Sequence, residues 1–420
     1  MDLREFIRWQ TQKRNWQKYI ASPSTYLFLE LLSGFWRPGQ AARHTKAALL
    51  FGIRLMRQAC RGKRPVVWTN VYTPPELIWA WGGVPFLPEV AAAVAASLGR
   101  SAHFLKVAEG AWYSPDLCSF HRCALGMALE RVLPRPDLVL ATSHLCDGAV
   151  KFLEMAAEIY GCPYYLLQIP YQDTPPSRSW LAEEIKALQQ ELKPLLPSRP
   201  EEIERVADRI NATRRHMTAI NDLRKNIPAP WRGSEALTQV VIFLNGLGTA
   251  EALSFYRELE QVLRCRVQKN ARAAAGRQER RLLWLHFKPF YPNPLMDLLE
   301  VRHKTVIAFE EVSEVFWEEI SGDSFAEGIA AKILANPLWG PAERRVNQTL
   351  KLTREYRVQG VIHFAHWGCR QSTGSAALLR AALGEAGIPF LNLDGDCIDP
   401  RNFMEGQTVT RVESFLEMLR

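Results

Sequence analysis

The chain has no run of about 18 consecutive uncharged apolar residues, so no membrane-spanning helix is expected. Its opening segment, residues 1–19, mixes charged and aromatic side chains and lacks an apolar signal-peptide core, which argues for a helix of the mature protein and against export. No close CxxC pair, zinc-finger spacing, aromatic RNP-type strand or basic leucine zipper occurs. The usual marks of structural zinc and of nucleic-acid binding are therefore missing. There is also no Gly-x-x-x-x-Gly-Lys-Ser/Thr loop, and Gly246–Gly248 is too short a glycine pattern to cradle phosphates, so any ATP chemistry belongs to another protein.

What is present is a globular composition, 47% hydrophobic and 23% charged over 420 residues, a length that suits two domains and an appendage. Lysine and arginine (52) outnumber aspartate and glutamate (44), a net charge of +8 that favours anionic partners. Much of the excess lies between Arg264 and Arg281, where a solvated helix or loop explains it as well as nucleic acid does.

Residues 1–60 read as a helical segment broken at Ser22-Pro23-Ser24. Short apolar runs then alternate with helical stretches: Val66–Thr69, Val84–Phe86, Leu138–Thr142 and Tyr164–Gln168 as buried strands, with helices near 120–132 and 149–160. This pattern predicts a parallel α/β lobe over 61–173. Residues 174–236, long and charged, read as a helical connector. A second α/β lobe is expected over 237–420, with strands at Val240–Leu244, Leu282–His286, Thr305–Phe309, Gly360–Phe364 and Pro389–Leu393. Two open sheets facing each other would leave a cleft between lobes, where ligands bind.

Eight cysteines occur: Cys60, Cys118, Cys123, Cys146, Cys162, Cys265, Cys369 and Cys397. Cys146 and Cys369 each follow a predicted strand by a few residues and precede a helix, and Cys118 opens another helix. Helix N-termini at the carboxyl ends of strands favour thiolates and anionic clusters. Cys397 lies beyond the final strand, and Cys123 falls about one helical turn after Cys118. Cys60, Cys162 and Cys265 read as ordinary buried cysteines. Thiolates gathered from separate loops suit an iron–sulfur cluster better than structural zinc.

Several segments resemble the 2-hydroxyacyl-CoA dehydratase and benzoyl-CoA reductase superfamily. They are residues 75–85 (PELIWAWGGVP), 116–122 (DLCSFHR), 136–147 (PDLVLATSHLCD), and, near the C-terminus, Gly387-Ile388-Pro389, Asp396 and residues 410–417 (TRVESFLE). The resemblance implies two flavodoxin-like (Rossmann-like) lobes with an iron–sulfur cluster between them, ligated by Cys118, Cys146 and Cys369. It implies a separate ATP-hydrolysing iron–sulfur activator that delivers low-potential electrons to a cytoplasmic, anaerobic enzyme acting on a small substrate. The surplus of Cys123 and Cys397 is similar to the double-cubane cluster branch, homodimeric proteins with an 8Fe-9S unit, whose sixth thiolate would be Cys60, Cys162 or Cys265. The alternatives are a 4Fe-4S subunit of a 2-hydroxyacyl-CoA dehydratase, within a heterodimer and forming a ketyl radical on an acyl-CoA, and a cluster protein that only transfers electrons. His121, His144 and His366 flank the ligand cysteines, as proton donors or as hydrogen-bond donors to cluster sulfur. Asp147 and Asp396 are expected to cap helices or orient loops.

Overall fold

The computed structural model describes residues 22–35, 43–273 and 279–419. The helix expected over residues 1–19 lies outside them. Among the described residues no helix is long and apolar enough to cross a membrane.

Two four-stranded, wholly parallel sheets organise the chain. The first has the order β2-β1-β3-β4, from β1 (Val66–Trp68), β2 (Val84–Phe86), β3 (Leu138–Thr142) and β4 (Tyr164–Leu167). The second repeats that order as β6-β5-β7-β8, from β5 (Arg280–Leu285), β6 (Thr305–Glu310), β7 (Gly360–His366) and β8 (Phe390–Gly395). The interior strands β1, β3 and β7 are buried at every position, as strands covered by helices on both faces must be. This is the expected two-lobed α/β architecture, with the strand order of a doubly wound fold whose last strand is missing. The order reverses between β1 and β3, and again between β5 and β7. Crevices therefore open at the carboxyl ends of those four strands.

The helices that position the site are α1 (Ser119–Leu129), α2 (Asp147–Tyr160), α3 (Pro175–Leu192), α4 (Pro200–Leu223) and, after β7, α5 (Arg370–Gly374), which leads into α6 (Ala376–Glu385). Helices α3 and α4 fall within the segment 174–236, which the sequence predicts as a charged helical connector. Their first turns carry proline, which costs no hydrogen bond there because first-turn N–H groups have no helical partner. Thr174 caps α3, its Oγ1 accepting from the Ser177 N–H at 3.3 Å. Replacing Thr174 with alanine is expected to weaken the start of α3 by about 1 kcal/mol, read as faster amide exchange over its first two turns, whereas Thr174→Ser retains the cap.

One expected strand is a helix. Val240–Gly246 forms a buried helical segment packed on the helix Arg43–Cys60 rather than a strand of the second sheet. Five consecutive apolar residues fit either state when every side is buried, and here the chain is already turning helically from Gly233.

The lobes share one apolar core that runs from Val67 and Trp68 through Leu244 to Trp284 and Ile362. Polar ties cross it as well. The Trp79 indole donates to the Asn245 carbonyl at 2.8 Å, and Lys332 meets Glu76 at 2.5 Å with both side chains buried. From the end of α4, Arg224 grips Glu310 at the end of β6 through two bonds of 2.7 and 2.5 Å, wholly out of solvent.

Candidate metal-cluster site

The loops leaving β1, β3, β5 and β7 each pass through one residue in the left-handed region. These are Tyr72 (φ 69°), Leu145 (φ 69°), His286 (φ 70°) and Gly368 (φ 78°). Only the last is a glycine, so three side chains sit in a conformation that L-residues avoid, which singles out a functional region. Tyr72, Leu145 and His286 all line one cavity of about 100 Å³ between the lobes. Asn70 joins two of the loops: its Nδ2 donates to the Thr142 carbonyl at 3.1 Å, and its Oδ1 accepts from the Thr142 N–H at 2.9 Å.

Cys118, Cys146 and Cys369 line the same cavity. Each stands at the start of a helix: Cys118 precedes α1, Cys146 precedes α2 and Cys369 precedes α5. Burial raises the pKa of all three thiols. The neighbouring thiols add to the rise, Cys369 and Cys146 at Cys118, and Cys369 at Cys146. Opposing this, N–H groups of the helix starts lie near enough to favour the thiolates, without closing a capping bond: Phe120 and His121 at Cys118, Ala149 and Gly148 at Cys146, Ser372 and Gln371 at Cys369. The Arg345 guanidinium further favours the Cys369 thiolate. Three thiols so placed resist losing protons one by one, yet the helix ends are arranged to hold them as thiolates. A cationic, sulfur-loving group resolves that conflict, so the donor set fits an iron–sulfur cluster. Among the described residues no three His, Cys, Asp or Glu side chains surround a point that would hold a single ion. Thiolates that each bind a different corner of a cluster stand farther apart than ligands sharing one ion.

Gly368 sets how closely two of the three loops approach. A Cβ at Gly368 would lie 2.8 Å from both the Cα and the N of Cys118. His366, just before it, bridges to the same cysteine. Its Nδ1 accepts from the Cys397 N–H at 3.1 Å, so Nε2 carries the ring proton and donates to the Cys118 sulfur at 3.3 Å. Asp396 orients the adjoining loop: Oδ1 accepts from the Ser119 hydroxyl at 2.5 Å and from the N–H groups of Ile398 and Asp399. Asp147 is exposed and bonds to the N–H of Gly148 beside it.

Of the three histidines expected to serve the site, His121 and His366 line the cavity. His144 does not; it bonds Thr142 Oγ1 at 2.9 Å and faces a smaller void. Burial pushes His121 down to about 4, and burial pushes the nearby Glu89 up to about 7. Their side chains are 3.8 Å apart. Glu89 also borders an adjoining apolar cavity of about 190 Å³, and Val71, Phe120 and Phe287 separate the two spaces.

The other cysteines lie elsewhere. Cys123 is fully buried in the apolar core and does not line the cavity. Cys397 is also fully buried, its sulfur 4.0 Å from the Phe287 carbonyl, though close enough to Cys118 and Cys369 for their charges to raise its pKa. Cys60, Cys162 and Cys265 do not line the cavity, and against the expectation that they are buried, Cys60 and Cys162 are half-buried and Cys265 is exposed. Within the basic stretch, Arg264 pairs with Glu260, Arg266 with Glu235, and Arg281 is buried against Glu279. These arginines are engaged internally.

Among the cavity residues that no motif signalled are Asn70, Tyr72, Glu89, His286, Phe287 and Glu311. A left-handed backbone at a non-glycine residue has no sequence signature. Glu311 had one faint cue, an acid immediately beyond a buried strand.

Residues 70–419 match the family described as 2-hydroxyglutaryl-CoA dehydratase, D-component. The chain is 24% identical to the (R)-phenyllactyl-CoA dehydratase alpha subunit of Clostridium sporogenes, over 86% of this chain and 90% of the relative. It is 23% identical to the lactoyl-CoA dehydratase subunit alpha of Anaerotignum propionicum, over 84% and 90% respectively. It is 24% identical to a subunit of the benzoyl-CoA reductase of Thauera aromatica, over 82% and 86%.

Proposed function

Because the chain belongs to the 2-hydroxyglutaryl-CoA dehydratase D-component family, we propose that it is the cluster-bearing subunit of a cytoplasmic enzyme of this kind, with Cys118, Cys146 and Cys369 holding an iron–sulfur cluster. The observation that carries this reading is the convergence on one cavity between the lobes of three cysteines that each stand at the start of a helix. Electrons would come from a separate ATP-hydrolysing iron–sulfur activator, and the substrate class is a 2-hydroxyacyl-CoA thioester. When bound, the cluster would supply one-electron chemistry beside the substrate.

The chain's own residues have definable tasks. First-turn N–H groups favour the thiolates, and the His366 Nε2–H stabilises the negative sulfur of Cys118. Phe120 and Phe287 exclude water and separate the cavity from the apolar space that suits an acyl chain. Glu89 and His121, both uncharged over part of the neutral range, are placed to keep or pass a proton at the cavity wall.

A 4Fe-4S cluster fits these three ligands directly. An 8Fe-9S double cubane is the second reading, favoured by the proximity of Cys397 to Cys118 and Cys369 and weakened by Cys123, whose side chain is packed in the core. Anaerobic purification is expected to yield a brown protein with about four irons per chain. About eight would favour the double cubane, and a colourless protein would sink both. Dehydration of a 2-hydroxyacyl-CoA to the enoyl-CoA and water only after activator and ATP have been supplied would separate an enzyme from a passive electron carrier. The relatives are named as subunits, so a paralogous partner is proposed over a homodimer, and the mass of the native complex tests it.

A further inference from the structure

His286 occupies the cavity without any task in holding the thiols. It follows β5 directly, in a left-handed conformation (φ 70°) that a histidine keeps only where its surroundings impose it. The clamp that imposes it is visible. The His286 N–H donates to Glu311 Oε2 at 3.0 Å, and Arg345 grips both oxygens of Glu311 at 2.5 and 2.8 Å. Arg345 also donates to the Ser372 carbonyl and the Ser375 hydroxyl, each at 2.9 Å, in the segment that follows Cys369. The strained residue is thus locked to the same frame as one of the three thiols.

The ring is placed as firmly as the backbone. It stacks on His366, with centroids 5.9 Å apart and planes 18° from parallel, and meets the edge of Phe287. His366 is the residue that reaches the Cys118 sulfur, so His286 stands one ring away from a proposed ligand. Yet its Nδ1 is buried without a hydrogen-bond partner. The Phe287 backbone beside the ring favours its protonated form without supplying Nδ1 with a bond of good geometry. A ring nitrogen left so in the interior is costly unless a small shift of the ring brings it to a partner in the cavity that His286 lines. Burial and the neighbouring His366 hold the ring in its neutral form, which offers one donor and one acceptor.

Resting on the acyl-CoA reading above, we propose that His286 is the residue that hydrogen-bonds the carbonyl oxygen of the bound thioester and so orients the acyl group beside the thiols. His286 makes no bond to the proposed cluster, and its variants keep the iron. The strain and the clamp are then the means of aiming a neutral donor at substrate.

The test is calorimetric titration of the anaerobic holoprotein with lactoyl-CoA, for the wild type, His286→Phe and His286→Gln. The phenylalanine variant keeps the ring stack and loses the hydrogen bond. It is expected to bind about tenfold or more weakly with unchanged iron content, and the glutamine variant to recover to within about threefold of wild type. Equal affinity in wild type and His286→Phe overturns the assignment while leaving the acyl-CoA reading intact. Loss of iron in His286→Phe also overturns it, because the residue would then support the cluster. No binding to the iron-loaded wild type overturns the acyl-CoA reading itself, and the assignment with it.

Discussion

Cys369→Ser is expected to purify without cluster iron and to lose activator-dependent turnover by at least about 100-fold, while remaining folded. The thiol sits where α5 begins, near the N–H groups of Ser372 and Gln371 and the Arg345 guanidinium. All of these favour a negative sulfur. A serine hydroxyl in the same place is a hard, poorly ionised donor, which iron in a sulfur cluster does not accept in exchange. Cys118→Ser and Cys146→Ser should behave alike, since each supplies one of three ligands from a separate loop, and the neighbouring Cys397 is fully buried rather than part of the cavity wall. The fold has little reason to fail, because these three cysteines are only partly buried and belong to the cavity wall rather than the apolar core. Cys265→Ser, an exposed position outside the cavity lining, is the control that keeps full iron. Cys123→Ala is the informative comparison. Its side chain lies in the core, so it should lower stability by about 1–3 kcal/mol and keep the iron of a three-ligand site. Iron assay, visible absorbance and thermal melting on the same anaerobic preparations decide the matter. Full iron in any of the three cavity variants would contradict the ligand set.

The parallel strands were legible because burial on both faces demands unbroken apolar runs, and Leu138–Thr142 or Gly360–Phe364 have no other reading once helical stretches flank them. Val240–Leu244 misled for the same reason: an apolar run reports burial, and only its neighbours report backbone shape. The cysteines at strand ends were legible from spacing, since a strand, a short loop and a helix cap follow each other locally. The relation between the loops was not. That Gly368 touches the backbone of Cys118 depends on a packing between residues 250 apart in the chain, and nothing local marks Cys123 as turned inward while Cys118 turns to the cavity. His286 was hidden twice, as the last residue of an ordinary strand pattern and as a left-handed residue that is not glycine. A buried acid on the next loop, Glu311, holds it there, and that pairing too is set by tertiary structure.

Gly368→Ala is expected to remove the cluster although every cysteine remains. Two costs add at this position. With φ at 78° the backbone is left-handed, which costs an L-residue about 1–2 kcal/mol. The added Cβ would also fall 2.8 Å from the Cys118 Cα and N, and 3.2 Å from the Leu117 carbonyl carbon. Those are backbone atoms with no rotamer to give, so overpacking contributes about a further 1–3 kcal/mol, relieved only if the β7 loop lifts away from α1. Such a movement separates Cys369 from Cys118 and draws His366 off the Cys118 sulfur, which it reaches at 3.3 Å. The protein should therefore melt lower and carry little iron. Gly374→Ala, at the end of α5, isolates the cause: no heavy atom lies within 4 Å of its added Cβ and its φ is not left-handed. That variant should keep its iron and gain up to about 1 kcal/mol of helix stability. If Gly368→Ala retained full iron at an unchanged melting temperature, the close contact between these loops would not set the spacing of the thiols.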